Sequence, residues 1–262
     1  MNTTFNFKNK NIFITGASSG IGEGLARSLA YQGANLILSA RSENRLKEVA
    51  IDCRKQGVQV KVLPLDLTKL DFNDGIAKET LSLFEQTDIL INSAGIGQRS
   101  LVKDTITEVD QAIMKLNYFG TVELTRAILP FMLARQSGHI VIISSVVGKF
   151  GTPMRSSYAA SKHALHGYFD SLRAEVSKDG IYVTLVCPGH IRTEISRNSL
   201  TGNGSKYSKV DNVLKKGMPV DECVACILKD IRYRKEEIIV SKTKEKIAVY
   251  LKRYAIAVRL LP

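Results

Sequence analysis

The stretch Asn11-Ile12-Phe13-Ile14-Thr15-Gly16-Ala17-Ser18-Ser19-Gly20-Ile21-Gly22 decides the fold. Its first four residues are a short apolar run of strand type, its middle is a glycine and serine turn, and the spacing of Leu25, Leu29 and Ala30 beyond it is helical. Strand, glycine turn, helix is the order in which a chain cradles a phosphate. Gly16, Gly20 and Gly22 permit a tight turn and close approach of backbone N–H groups, and the helix N-terminus favours an anion. The spacing differs from G-x-G-x-x-G, so a plain Gly/Ser-rich connecting turn is the alternative against which the neighbouring segments are weighed.

The next strand, Asn35 to Ser39, runs into Ala40-Arg41. About twenty residues past such a turn an acid would accept from a ribose 2′-hydroxyl. Here no acid stands there, and Arg41, with Ser39 or Arg45, suits a 2′-phosphate, which favours NADP(H) over NAD(H). A solvated Arg41 is the bland alternative. Strand and helix then alternate: a helix from Glu43 to Lys55, a strand from Val58 to Leu63, Asp66-Leu67-Thr68 leading to a helix near Phe72 to Phe84, and a strand from Asp88 to Ile91 ending in Asn92-Ser93-Ala94-Gly95. With few hairpin signals, this order predicts an α/β chain: a single-domain Rossmann fold, its doubly wound parallel sheet carrying helices on both faces.

Bulk properties agree with one domain over residues 1–262: 44% of residues are hydrophobic and no linker-like stretch divides the chain. The formal charge of +12 favours anionic partners, but no nucleic-acid motif accompanies it. Cys53, Cys187, Cys223 and Cys226 are irregularly spaced, and Asn2 to Lys10 has no apolar h-region, so a cytoplasmic, reduced chain is expected. No run is long and apolar enough for a membrane span. Cys223-Val224-Ala225-Cys226 lacks a second metal pair, and His139, His163 and His166 lack metal-ligand spacing with nearby acids, so no metal is expected. His190 falls nearer the presumed site.

The candidate chemistry lies further on. Val141-Ile142-Ile143 is a buried-strand run ending in Ser144-Ser145, and Tyr158 and Lys162 lie one turn apart on the helix that runs on to Ser177. A free tyrosine titrates near 10, so proton transfer near neutrality needs a shift of about three units, roughly 4 kcal/mol. One cation about 4 Å away supplies that much at an effective dielectric of about 20. The same spacing also occurs on ordinary helix surfaces. Strand ends facing helix starts are where open α/β sheets place their sites, which lets serine and tyrosine converge. Asn117, in the apolar middle of a helix from Thr107 to Arg135 interrupted near Gly120, is either a structural tie or part of a polar relay.

Strand Ile181 to Val186 is expected to stop at Cys187-Pro188-Gly189, with His190-Ile191-Arg192-Thr193 completing the turn. Residues 196–217 are expected as a polar, flexible loop over the substrate, followed by a helix from Val220 to Asp230 and a strand from Glu237 to Val240. In the tail, about 242–261, Ile247, Tyr250, Leu251, Tyr254, Val258 and Leu261 form one helical stripe and Val249, Ile256 and Leu260 a second, with basic residues between. One stripe would pack on the domain; the other would meet a membrane surface or a second subunit.

From Lys10 to Val240 these residues resemble the short-chain dehydrogenase/reductase family, and phrases such as Asn117-Tyr118-Phe119-Gly120 and Ser157 to His163 look most like its member-seven group. The resemblance implies a catalytic tetrad of Asn117, Ser145, Tyr158 and Lys162. It implies a dinucleotide held by Gly16, Ser18, Ser19, Gly20, Ile21 and Gly22, by Arg41, by Asp66 and Leu67, by Asn92, Ala94 and Gly95, by Tyr158 and Lys162, and by Pro188, Gly189, Ile191 and Thr193. Tyr158 would carry the proton, Lys162 would acidify it and hold the nicotinamide ribose, Ser145 would bond the substrate oxygen, and Asn117 would hold a relaying water. The expected activity is NADP(H)-dependent interconversion of a carbonyl and an alcohol on an apolar or lipid-like substrate, with NAD(H) as the second cofactor. A homodimer or homotetramer is expected. The alternatives are a 3-oxoacyl-acyl-carrier reductase and a nucleotide-binding sensor without chemistry. Members of the group are often membrane-associated, whereas this chain is expected to lack an N-terminal anchor.

Overall fold

The computed structural model describes residues 5–69, 75, 82–209 and 211–253. Seven strands, β1 (Asn11–Thr15), β2 (Asn35–Ala40), β3 (Val60–Pro64), β4 (Ile89–Asn92), β5 (Gly138–Ile143), β6 (Ile181–Pro188) and β7 (Glu237–Val240), form one parallel sheet in the order β3-β2-β1-β4-β5-β6-β7. Around it lie α1 (Gly20–Tyr31), α2 (Glu43–Arg54), α3 (Thr107–Met114), α4 (Gly120–Ala134), α5 (Ser156–Glu175), α6 (Val220–Arg232) and α7 (Thr243–Arg253). The order steps outward from β1 on one side and from β4 on the other. A crevice therefore opens beyond the C-terminal ends of those two strands, at the switch point where such sheets bind ligands.

Both faces of the sheet are covered, which is why its strands read as continuous apolar runs rather than as alternating ones. Along β1, Ile12 and Ile14 turn to one face, where Leu25 and Leu29 of α1, Val49 of α2 and Ile227 of α6 meet them, while Phe13 turns to the other with Leu124 of α4 and Phe169 of α5. Each such side chain, when fully buried, contributes about 1.5–3 kcal/mol of transfer free energy. The helix expected near Phe72 to Phe84 falls almost wholly outside the described residues, as does the tail beyond 253.

Three segments depart from expectation. The helix from Thr107 to Arg135 is α3 and α4 joined by a wide π-type turn, Lys115–Phe119, which holds Asn117. Strand β6 does not stop at Val186 but runs on through Pro188, which pairs with Val240. Proline lacks only its N–H, and the next N–H, that of Gly189, donates to Val240 at 2.9 Å. The segment read as a flexible loop is tied down: the Leu200 N–H donates to the Gly97 carbonyl (3.0 Å), the Arg99 N–H donates to the Leu200 carbonyl (2.8 Å), and Ser196 and Ser199 are buried. Its anchors are single residues without periodicity, which pattern reading does not detect.

His139 opens β5 at 3% exposure, its Nε2 shares a hydrogen bond with Thr184 Oγ1 (2.8 Å), and its Nδ1 has no partner among the described residues. Burial first, and Arg234 second, push its pKa down to about 3. Burial first and Lys149 second push His166 down to about 4. In the unfolded chain both imidazoles take up protons near 6.5; in the folded protein they resist until far lower pH. Stability from this source is complete above about pH 6.5 and is lost as pH falls towards 4, at up to about 1.4 kcal/mol per pH unit for each group. Denaturant titrations between pH 6.5 and 4 are expected to show that slope, and His139→Leu, which leaves Thr184 its bond to the Lys235 carbonyl, is expected to reduce it. An unchanged slope in the variant would contradict the assignment.

Candidate active site

The glycine turn sits on the crevice and has no room for side chains. Gly16 adopts φ +65°, and a Cβ there would lie 2.9 Å from the Ala94 nitrogen and Cα. Thr15 Oγ1 accepts from the N–H groups of Ser93 (3.1 Å) and Ala94 (3.2 Å), which locks the end of β1 to the segment leaving β4. A Cβ at Gly22 would press on the Gly16 carbonyl, so α1 begins hard against the turn. Gly20 meets Thr193, which reaches over from the end of β6: a Cβ at Gly20 would lie 3.3 Å from Thr193 Cγ2. Ser19 occupies the N-cap position without a side-chain cap bond, leaving the first-turn N–H groups of α1 for an anion. A groove of about 840 Å³ follows, lined by Gly20, Glu23, Arg27, Arg192 and Thr193 among others.

Beyond β2 the exposed Arg41 lies near Asp66. Burial pushes the Asp66 carboxyl up, but hydrogen bonds from the Thr68 hydroxyl (2.8 Å) and N–H (3.0 Å), with Arg41 and Lys69 nearby, bring it below the usual carboxylate range. Arg45, read as a possible companion to Arg41, turns instead to Glu48 and, at 3.8 Å, to Glu23. Ser39 is buried, and its carbonyl accepts from the Ala17 N–H at 3.1 Å, supporting the turn from beneath. Leu67 packs in the core, with its Cβ and its backbone carbonyl both against Gly120. Asn92 donates to Thr125 Oγ1 at 3.1 Å, and its buried Oδ1 has no partner among the described residues.

Ser145, Tyr158, Lys162 and Asn117 come together at the C-terminal end of β5, all buried. Ser145 caps the short turn Val146–Gly148: its Oγ accepts from the Val147 N–H and donates to the Pro188 carbonyl, each at 3.3 Å. The expected acidification of Tyr158 is not what the structure gives: burial holds the phenol above its ordinary value, and Arg155, the neighbouring Ser145 and Arg99 offset that only in part. Lys162 was expected to do that work. Its ammonium instead donates to the Ile143 carbonyl (2.9 Å), 5.8 Å from the centre of the tyrosine ring, and burial lowers its own pKa to about 8. The i, i+4 spacing predicts the proximity but not the Ile143 carbonyl that holds the ammonium.

The two arginines came from outside the pattern. Arg99 Nε donates to Asp211 Oδ2 at 2.7 Å, and Arg155 Nη2 lies 3.6 Å from the same oxygen, so the carboxylate draws both cations together. Asn117 serves as a tie: its Oδ1 accepts from the Ile96 N–H (2.9 Å) and its Nδ2 donates to the Ile96 carbonyl (2.9 Å) and to Ser161 Oγ (3.0 Å). A Cβ at Gly95 would lie 3.1 Å from Asn117 Oδ1 and 3.6 Å from Lys162 Nζ, so glycine there is what lets the two side chains approach.

Behind Ser144, His166 Nε2 meets Ser144 Oγ (3.1 Å) and Cys187 Sγ (3.6 Å), and Glu237 lies beyond. Burial pushes the Cys187 thiol up to about 12, so both groups are neutral, and Glu237 pairs with Lys149. Cys223 is buried and Cys226 exposed on α6, both as free thiols. His190 bonds Glu245 (2.7 Å), fastening the turn after β6, with Gly189 and the buried Ile191, to α7.

Residues 10–203 match the family model described as short chain dehydrogenase. The Drosophila melanogaster "Dehydrogenase/reductase SDR family protein 7-like" is 47% identical over 247 residues, 93% of this chain and 76% of that protein. The solved short-chain dehydrogenase from Sphingobium yanoikuyae in complex with NADPH is 32% identical with a TM-score of 0.79, covering 94% of this chain and 93% of that one. A short-chain dehydrogenase/reductase from Burkholderia phymatum in complex with NAD shares the fold, with a TM-score of 0.85 at 23% identity over 98% of each chain. Most of the chain fits one family model, and a relative nearly half identical to it spans almost its whole length: this chain belongs to the short-chain dehydrogenase/reductase family of oxidoreductases.

Proposed function

We propose that the protein interconverts a ketone or aldehyde and an alcohol with NADP(H), on an apolar or lipid-like substrate. The observation that carries the reading is the buried Tyr158 phenol, beside Ser145 and one helical turn from Lys162, at the strand ends that border the glycine turn. That turn suits a dinucleotide, because side chains at Gly16 and Gly22 would meet backbone and the N-terminus of α1 carries no side-chain cap. Such a cofactor supplies the hydride exchanged with the substrate carbon. Tyr158 gives its proton to the substrate oxygen in reduction and takes it back in oxidation, while Ser145 hydrogen-bonds that oxygen. Lys162 supports the nicotinamide end, and Asn117 fixes the Ile96 peptide beside it. The exposed Leu101, Val102 and Met154, brought together by the Ser100 N–H bond to the Met154 carbonyl, support an apolar substrate.

Arg41, with no acid at the end of β2, favours the 2′-phosphate. Arg41→Ala is expected to weaken NADPH binding by about tenfold or more, roughly 1.4 kcal/mol, and to leave NADH binding nearly unchanged. Fluorescence titration with both nucleotides checks this, and equal effects on the two would overturn the NADP(H) preference. The charge of +12 favours a second reading, an acyl-carrier reductase with an acidic partner. NADPH oxidation against a panel of free carbonyls and acyl-carrier thioesters separates them. Turnover of free carbonyls supports the first reading, turnover confined to carrier thioesters supports the second, and bound nucleotide without turnover points to a sensor.

On α7, Ala248 and Val249 pack against Val146, Phe150 and Cys187, whereas Ile247, Tyr250 and Leu251 face outward at 51%, 56% and 47% exposure. No helix among the described residues is long and apolar enough to cross a membrane. The outward stripe suits an anionic lipid surface or a second subunit, and failure to float with anionic liposomes would remove the lipid reading.

A further inference from the structure

We infer that Gln98 is a positioning residue for Tyr158: its side-chain carbonyl caps the N-terminus of α5 and joins the placement of the phenol to the loop over the substrate. The inference rests on Tyr158 being the proton donor proposed above.

Helix α5 begins without a cap of its own, since Arg155 at the N-cap position makes no side-chain cap bond. The missing acceptor comes from the segment that leaves β4. Gln98 is wholly buried, and its Oε1 accepts from the N–H groups of Ser157 (2.8 Å) and Tyr158 (3.4 Å). Its Nε2 faces the hydroxyls of Ser100 (3.2 Å), Thr105 (3.2 Å) and Ser156 (3.3 Å). Thr105 gives its own proton to the Leu101 carbonyl at 2.7 Å and therefore accepts from the amide, which fixes the orientation of Gln98. Turned over, the NH₂ group would face two N–H donors.

The backbone of Gln98 is committed elsewhere. It bridges to Leu200 in parallel register, its neighbours Gly97 and Arg99 exchange hydrogen bonds with Leu200, and its carbonyl accepts from Arg99 Nη1 at 2.6 Å. Arg99 in turn holds Asp211 at the far end of the same loop. One residue thus links the nucleotide crevice, the substrate loop and the first turn of the catalytic helix. A helix whose first N–H groups lose their acceptor frays at that end, and Tyr158 is the third residue of α5. Small displacements of a reacting group are costly: about 1 Å can lower a rate by about a hundredfold.

Gln98→Met keeps the shape and deletes the acceptor; Gln98→Glu keeps an acceptor and adds an anion. With NADPH and the fastest carbonyl of the panel, Gln98→Met is expected to lower kcat by about ten- to a hundredfold with unchanged nucleotide affinity. Gln98→Glu is expected to recover most of that loss, because a carboxylate still accepts from both N–H groups and suits a helix N-terminus. Its charge raises the phenol pKa, so the alkaline limb of kcat, where the phenol loses its proton, moves to higher pH by about half a unit or more. A kcat for Gln98→Met within about twofold of the parent overturns the inference, as does an equal loss in both variants with an unmoved pH profile. If Gln98→Met does not fold, the pH profile of Gln98→Glu decides alone. Tyr158→Phe separates the two levels. Retained turnover there defeats the proposed chemistry itself, whereas lost turnover beside a normal Gln98→Met defeats only the role of Gln98.

Discussion

Tyr158→Phe is expected to bind nucleotide as the parent does and to turn over at least about a hundredfold more slowly. The ring is nearly fully buried against Val147 and Ala159, and phenylalanine occupies the same space. Removing the hydroxyl orphans nothing, because Ser145 keeps the Pro188 carbonyl and the Val147 N–H as partners. Folding stability should therefore hold, since the lost hydroxyl leaves no buried donor or acceptor of Ser145 without a partner. What disappears is the only proton the substrate oxygen is proposed to receive. Steady-state NADPH oxidation beside nucleotide titration and thermal denaturation checks the variant, and turnover within tenfold of the parent with intact binding would remove Tyr158 from the mechanism.

What was legible in the chain and what was not divide along sequence distance. Gly16, Gly20 and Gly22 could be read because a strand, a turn and a helix N-terminus are local needs, and the structure places backbone or Thr193 where each side chain would stand. Tyr158 and Lys162 could be read because one helix turn brings them together. The burial of Lys162 and its hydrogen bond to the Ile143 carbonyl, 19 residues away, could not, because neither leaves a local pattern. Arg99 and Asp211 meet across 112 residues, and Gln98 reaches Tyr158 across 60. Only the sheet order brings such segments together, and no periodicity announces it. One local hint existed: an arginine where a helix start prefers Ser, Thr, Asp or Asn implies that the cap comes from elsewhere. The segment 196–217 shows the same limit, because Leu200 is a single apolar residue in a polar stretch and its partners lie at Gly97 and Arg99.

Gly22→Ala, a single added methyl group, is expected to weaken both NADPH and NADH by at least about a hundredfold, roughly 2.7 kcal/mol. Gly22 lies in the first turn of α1, where alanine is conformationally welcome, so the effect comes from space alone. The new Cβ would overlap the Gly16 carbonyl oxygen, lie 2.8 Å from its carbon and lie 3.3 Å from the Ala17 nitrogen. These are backbone atoms, and they can retreat only if the turn opens. Gly16 in turn rests on Ala94, so opening it pushes against the end of β4. Gly24→Ala, two residues along the same helix, is the control. Its Cβ would meet Val220 Cγ1 (2.7 Å) and Val224 Cγ2 (3.0 Å), side-chain ends on α6 that can shift, so it should cost about 1–3 kcal/mol of stability and leave nucleotide affinity within about threefold. If both variants lose affinity in proportion to their loss of stability, the turn is ordinary packing; if Gly22→Ala alone loses the nucleotide, the turn is what holds it.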